Sequence, residues 1–195
     1  MEGKLNTHEK IIKAAFELFS QKGYLGTTTK EIAALAGVSE ITLFRHFGSK
    51  EKIFEEVISN KSFLLDLKSL LPKIADLDLK DALLEIATEN TKKLILKKGA
   101  IKIFFSEVDR YPIKIKEIHN NMCNAQDSIL ISFFQSKEEL SKHSEEDLIL
   151  ITKTIRYIIF GHFIDKVIIR NEEIDMENFR NNFAKNIDFL INGIN

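Results

Sequence analysis

Two groups of residues in this chain have types and spacing suited to chemistry. The first lies between Thr28 and Lys50, where the hydroxyls of Thr28, Thr29, Ser39 and Thr42 and the cations Lys30, Arg45 and Lys50 are interleaved with apolar residues. Hydroxyls and cations on short helices suit phosphate and base-edge contact. The second group is His119 and Cys123, four residues apart and therefore on one face of a helix. That spacing suits a metal or a thiolate–imidazole pair. Cys123 is the sole cysteine, and His162 is the other nearby candidate, on a buried helix. No third orienting group or phosphate loop accompanies Cys123. A metal- or thiol-responsive protein, and a helical-bundle enzyme, stand as alternatives on this second group.

The elements that position the first group read clearly. Thr28 or Thr29 can cap a helix, and Glu31 follows Thr28 at capping-box spacing. Ile32, Leu35 and Ala36 give a 3, 4 apolar pattern, which predicts one buried face. Gly37 sits where a turn needs positive φ. Ser39 is a second N-cap, followed by Ile41, Leu43, Phe44 and Phe47, and Gly48 stops the run. Helix, short glycine turn, helix is the helix-turn-helix pattern. Ser39–Phe47 is then the candidate recognition helix for a DNA major groove. Ala33 is small enough for close helix approach, and Leu43 is expected to pack back on the first helix.

These residues resemble the DNA-binding signature of the TetR family of bacterial transcription regulators. The resemblance is carried by Thr28, the run IAALAGVS from Ile32 to Ser39, and Thr42, Leu43, His46, Phe47 and Lys50. Upstream, Ile11, Ala14, Ala15, Phe16, Leu18, Phe19, Gly23 and Tyr24 fit the family's first helix and turn. The match spans roughly the first quarter of the chain. It implies a non-enzymatic homodimer that binds double-stranded DNA at a palindromic operator, with half-sites roughly 34–36 Å apart.

Position by position, the resemblance implies phosphate contact from Thr28, Thr29 and Lys50, with Lys30 and Ser39 beside them. It gives Thr42 a thymine methyl or a phosphate, and Arg45 and His46 further polar contacts. Two residues depart from the family pattern. Phe44 stands where tyrosine is frequent and cannot donate to a phosphate. Glu40 stands where a basic or small residue is frequent. It can accept from a cytosine amino group or simply favour the helix dipole, and the dipole is the preferred reading.

By helix position alone, the family implies an effector pocket from Phe104, Phe105, His119, Met122, Cys123, Gln126, Arg156, Tyr157, Phe160 and Phe163. Its lining suggests an apolar, elongated small molecule, with Arg156 available to an anionic end. The last two helices are expected to form the dimer interface, through Gly161, Ile164, Ile168, Phe179, Phe183 and Ile187. No cofactor and no metal are expected.

The whole chain reads as all-α, in about nine helices. Isoleucine is frequent, but 3, 4 spacing and segment length overrule strands. Residues 1–50 are expected to form the helix-turn-helix domain, and 51–195 a helical ligand-binding and dimerisation domain. The boundary falls inside a fourth helix that runs from near Ser49 toward Pro72, which must end or kink it. A chain of 195 residues with a 44% hydrophobic share can build a sizeable core. No apolar run is long enough for a transmembrane helix, and the polar start and lone cysteine fit a cytoplasmic protein. The net charge of −1 is unlike that of a nonspecific nucleic-acid binder. Seven basic against five acidic side chains in residues 1–50 leave that part slightly positive.

Overall fold

The structure is a computed structural model that describes residues 6–59, 66–109 and 112–194. Among them the fold is all-α, with ten α-helices and no strand. They are α1 (Thr7–Lys22), α2 (Thr29–Ala36), α3 (Glu40–Phe47), α4 (Lys50–Ser59), α5 (Leu67–Leu70), α6 (Leu79–Leu96), α7 (Lys98–Ser106), α8 (Pro112–Gln135), α9 (Glu145–Phe163) and α10 (Met176–Ile194). Pro72 lies in a 3-10 turn, Leu71–Lys73, directly after α5. The expected continuation of the fourth helix through Phe63 and Leu64 lies outside the described residues.

Local sequence sets the helix ends. Asn6, Thr28 and Ser144 each accept from an amide three residues on and receive the matching carboxylate in return, closing three capping boxes. Asp78 caps α6 by accepting from the Asp81 amide. At its far end α9 widens into a π-helical turn, Ile164–Ile169. Asn171 follows with φ of +55°, a left-handed conformation that asparagine tolerates better than most residues.

By packing, the chain divides into two compact units, one spanning Met1–Phe63 and Gly99–His119, the other Leu64–Lys98 and Asn120–Asn195. In this division α4, α7 and the start of α8 go with α1–α3. In the first unit, Phe19, Tyr24 and Phe54 form an aromatic cluster with centroids 4.9 to 5.9 Å apart. Each such buried ring contributes about 1.5–3 kcal/mol. His8 ties three helices together: it stacks on Phe47 at 4.7 Å and pairs with Glu56 at 2.8 Å. Gly99 lets α7 lie close on α1, because a Cβ there would stand 3.2 Å from the Phe16 ring and 3.1 Å from the Ser20 hydroxyl.

In the second unit, α6 packs against both α9 and α10. Its core runs through Leu83, Ile86 and Ala87 of α6, Phe134 of α8, Leu148, Ile155 and Ile159 of α9, and Phe179, Phe183 and Ile187 of α10. Lys137 is buried, and its ammonium donates to the carbonyls of Ala75 and Leu77, both at 2.6 Å. A buried charge held this way closes the loop before α6 instead of destabilising it.

Candidate nucleic-acid interface

The α2–turn–α3 segment is built by its caps. Thr28 accepts from the Glu31 amide at 3.1 Å, and the Glu31 carboxylate accepts from the Thr28 amide at 2.8 Å. Lys22 donates to the same carboxylate at 2.6 Å. Lys22 first, then the Thr28 amide and hydroxyl, hold the Glu31 carboxyl down at about 2. Gly37 takes the left-handed conformation, φ 69° and ψ 35°, and the Val38 amide closes back on Ala33 at 3.0 Å. Ser39 then caps α3 by accepting from the Thr42 amide at 3.1 Å. Leu43 is fully buried and Ala33 nearly so, which seats α3 against α2.

The outward face of α3 differs from the expected apolar stripe. Ile41 is 82% exposed and Phe44 43% exposed, while Leu43 and Phe47 are buried. Ile41 precedes Leu43 by two positions, roughly 200° around an α-helix, so the two cannot share a face. Leu35, placed on the buried face of α2 by its spacing, is 49% exposed, and Leu25 before that helix is 64% exposed. Arg45 and His46 are exposed beside Phe44. The face of α3 turned to solvent therefore carries Ile41, Phe44, Arg45 and His46, a mixture suited to thymine methyls, phosphates and base edges.

Thr28 and Thr29 do not present free hydroxyl protons. Thr28 Oγ1 donates to Glu31 at 3.0 Å, and Thr29 Oγ1 donates across to Glu40 of α3 at 2.5 Å. A phosphate oxygen only accepts, so these engaged hydroxyls offer it no donor, and the donors left at the start of α2 are main-chain amides. Those of Thr29 and Lys30 have no acceptor within an α-helix. Lys30 and Ser39 are exposed, and Thr42 is half-buried with its hydroxyl 2.9 Å from that of Ser39. Lys50 is half-buried, with its ammonium over the Tyr24 ring at 4.2 Å.

The residues expected around an effector are spread over both units. Phe104, half-buried, Phe105, 46% exposed, and His119, exposed, fall in the first unit. Met122, Cys123, Gln126, Arg156 and Phe160 are half-buried in the second, where Phe163 is fully buried. Tyr157 is 66% exposed and does not face the interior. Arg156 is bound to Asp127 through both carboxylate oxygens, at 2.8 and 3.0 Å, so its charge is already matched. Burial pushes the Cys123 thiol up, against the opposing pull of Arg156, so it stays a protonated thiol at neutral pH. His119 and Cys123 belong to no group of three or more metal-ligand side chains among the described residues.

Three of the residues expected at a dimer interface have no surface to give. Phe179, Phe183 and Ile187 are 4%, 2% and 1% exposed inside the protomer's own core. Their 3, 4 stripe is the inward face of α10. Ile164 and Ile168 are half-buried in the π-helical turn. Gly161 is exposed, and a Cβ built on it meets nothing within 4 Å. Among the described side chains, the large apolar residues that α9 and α10 present outward are Leu150, 65% exposed, Tyr157, and Phe189, 79% exposed. A helical-wheel count from Phe183 and Ile187 would have separated Phe189 from the buried stripe.

Comparison with known proteins bears on the same segment. The family described as "Bacterial regulatory proteins, tetR family" matches residues 11–57. A Bacillus subtilis (strain 168) protein described as the uncharacterized HTH-type transcriptional regulator YvkB is 32% identical over 173 residues, which cover 87% of this chain and 88% of that protein. The negative transcriptional regulator IcaR of the icaADBC biofilm operon, from Staphylococcus aureus, is 44% identical over 50 residues, 26% of this chain and 27% of IcaR. The crystal structure of the regulator FadR from Bacillus subtilis in complex with stearoyl-CoA has the same fold, with a TM-score of 0.74, 19% identity, and coverage of 95% of this chain and 98% of that one. No described helix is long and apolar enough to cross a membrane. With the helix-turn-helix geometry above and a relative aligned over most of its length, this chain belongs to the TetR family of bacterial regulatory proteins, which are DNA-binding transcription regulators and not enzymes.

Proposed function

We propose that this protein is a homodimeric repressor that binds a palindromic operator and is released by a small, largely apolar effector. The observation that carries the reading is the solvent face of α3. It displays Ile41 and Phe44 beside Arg45 and His46, while Leu43 and Phe47 anchor the helix from behind. A large aliphatic side chain held in water has a use when a thymine methyl meets it. IcaR, similar over the same segment, is a negative regulator, which favours repression.

The second copy is proposed to dock on the outward faces of α9 and α10. Leu150, Tyr157 and Gly161 recur at helical spacing along α9, and Phe189 stands exposed on α10. Burying them in a two-fold interface removes apolar surface from water on both protomers. Gly161 on this face permits close approach of two helices.

The effector is proposed to enter the second unit. Its interior contains two hydroxyls, Thr91 Oγ1 on α6 and Thr152 Oγ1 on α9, that are buried and make no hydrogen bond. Buried polar groups without partners call for an explanation, and a ligand that completes them is one. Arg156 is committed to Asp127, which favours an uncharged hydrogen-bonding group over an anion at that end. FadR accommodates stearoyl-CoA on the same fold, so the fold can take a long acyl chain. Release requires that the effector favour a half-site separation the operator does not accept, since a ligand shifts only an equilibrium it discriminates.

Titration of a retained DNA duplex with the protein tests the reading. The expected end point is two protomers per duplex, with affinity falling steeply as salt rises. One protomer per duplex, or binding indifferent to salt, would remove the homodimeric DNA-binding reading.

A further inference from the structure

Glu40 is an odd residue to find at the front of a DNA-reading helix. A carboxylate can only accept hydrogen bonds, and so can a phosphate, so the two repel. Yet this carboxylate is held in place. Thr29 Oγ1, at the first position of α2, donates to Glu40 Oε1 at 2.5 Å, in a half-buried contact eleven residues apart in sequence. Its second oxygen has no hydrogen-bond partner among the described residues. The bond therefore joins the starts of the two helices and leaves one acceptor, in a fixed direction, at the first position of α3. The N-terminal residues of such a helix are the ones that reach base edges. Ile41, next in sequence and 82% exposed, marks the same end of α3 as turned to solvent.

Groove chemistry then narrows the target. Guanine shows two acceptors in the major groove, and thymine an acceptor and a methyl, so neither receives a carboxylate. Adenine offers an amino group, but its N7 acceptor lies beside it and repels the remaining charge. Cytosine offers its N4 amino group with no acceptor alongside. Resting on the DNA-binding reading above, we propose that Glu40 selects a cytosine in each half-site and that Thr29 is its positioning residue. Thr29 removes in advance the side-chain freedom that a solvated glutamate would lose on binding. This replaces the helix dipole as the main reason for a carboxylate at this position.

The test is selection from duplexes randomised across the half-site, using the full-length protein and four variants. Wild type is expected to fix cytosine at one position per half-site, preferring it at least about fivefold. Glu40→Ala loses that preference while the rest of the site is kept. Glu40→Gln shifts it toward adenine, whose N6 and N7 a carboxamide matches. Thr29→Val weakens the cytosine preference, and Thr29→Ser restores it because the hydroxyl is retained. A merely structural role for Thr29 would lower affinity for all sequences equally. Selection of one identical site by wild type and Glu40→Ala overturns the assignment of Glu40 while leaving DNA binding intact. Undiminished cytosine preference in Thr29→Val overturns the positioning role. Failure of wild type to enrich any sequence overturns both this proposal and the DNA-binding reading.

Discussion

Replacing Thr91 by valine should make the protein more stable, and replacing Thr88, one turn earlier, should make it less so. Both residues are buried on α6, at 0% and 5% exposure. Thr88 Oγ1 donates to the Leu84 carbonyl at 2.6 Å and accepts from Arg180 Nη1 at 2.8 Å. Thr91 Oγ1 makes no bond, although the Ala87 carbonyl lies one turn back at the corresponding position. Valine has nearly the volume of threonine and shares its β-branching, so packing and helix propensity change little. What changes is one hydroxyl. A buried, unsatisfied polar group costs about 1–3 kcal/mol, so Thr91→Val should gain about 1 kcal/mol or more. Thr88→Val gives up two made bonds and leaves Arg180 short of an acceptor, a loss of about 1–2 kcal/mol. For a chain of this length, 1 kcal/mol moves the melting temperature by about 2–4 °C. Urea unfolding followed by circular dichroism, with the slope unchanged, gives both values. If the two substitutions shift the midpoint in the same direction, the hydrogen-bond reasoning for this interior is refuted. Loss of effector-driven release in Thr91→Val, despite its greater stability, is the result expected if that hydroxyl serves the effector.

Further outcomes follow from single contacts. Lys50→Ala should weaken binding to all DNA sequences and flatten the salt slope by about one unit; an unchanged slope removes Lys50 from phosphate contact. The same variant loses the contact over Tyr24 and should cost about 0.5–1 kcal/mol in unfolding. Gly161→Leu should unfold normally, because open space surrounds that position, yet run as a monomer in light scattering; a fully dimeric variant discards Gly161 from the interface. The Glu31 carboxyl, held down at about 2 from its usual 4.5, stabilises the fold while it is charged. That contribution is complete above about pH 4.5 and fades as pH falls toward 2. A melting temperature that falls equally in wild type and Glu31→Gln across that window would count against it.

Much of the architecture could be read from the chain because it is written locally. The capping box at Thr28 marks a helix start with residues three apart, and it stands where the sequence places it. The turn at Gly37 is just as local. Pro72 signals a break, and Asp66, which caps the short α5 by accepting from the Ser69 amide, is the local mark of a separate helix start before it.

The errors arose where a side chain's partner lies on another helix. Phe179, Phe183 and Ile187 mark one face of α10, but the pattern does not say whether the protomer's own α6 or a second copy covers it; here it is the protomer. Arg156 looks free for an anion until Asp127, 29 positions earlier, is seen beside it. Thr29 and Glu40 are each legible as helix-start residues, but not as partners. Ile41 could have been placed outward from sequence alone, since it cannot share a helix face with Leu43.

The most direct measurement is selection of fragmented genomic DNA from the source organism, by the purified protein, at moderate salt. The protein should first be unfolded, washed and refolded to strip any bound effector. The account predicts enrichment of one short palindrome, with half-site centres roughly 34–36 Å apart, and loss of that enrichment when Arg45 and His46 on the exposed face of α3 are both replaced by alanine. Retention of no sequence by the stripped protein, or retention of the same palindrome by the doubly substituted one, would contradict it.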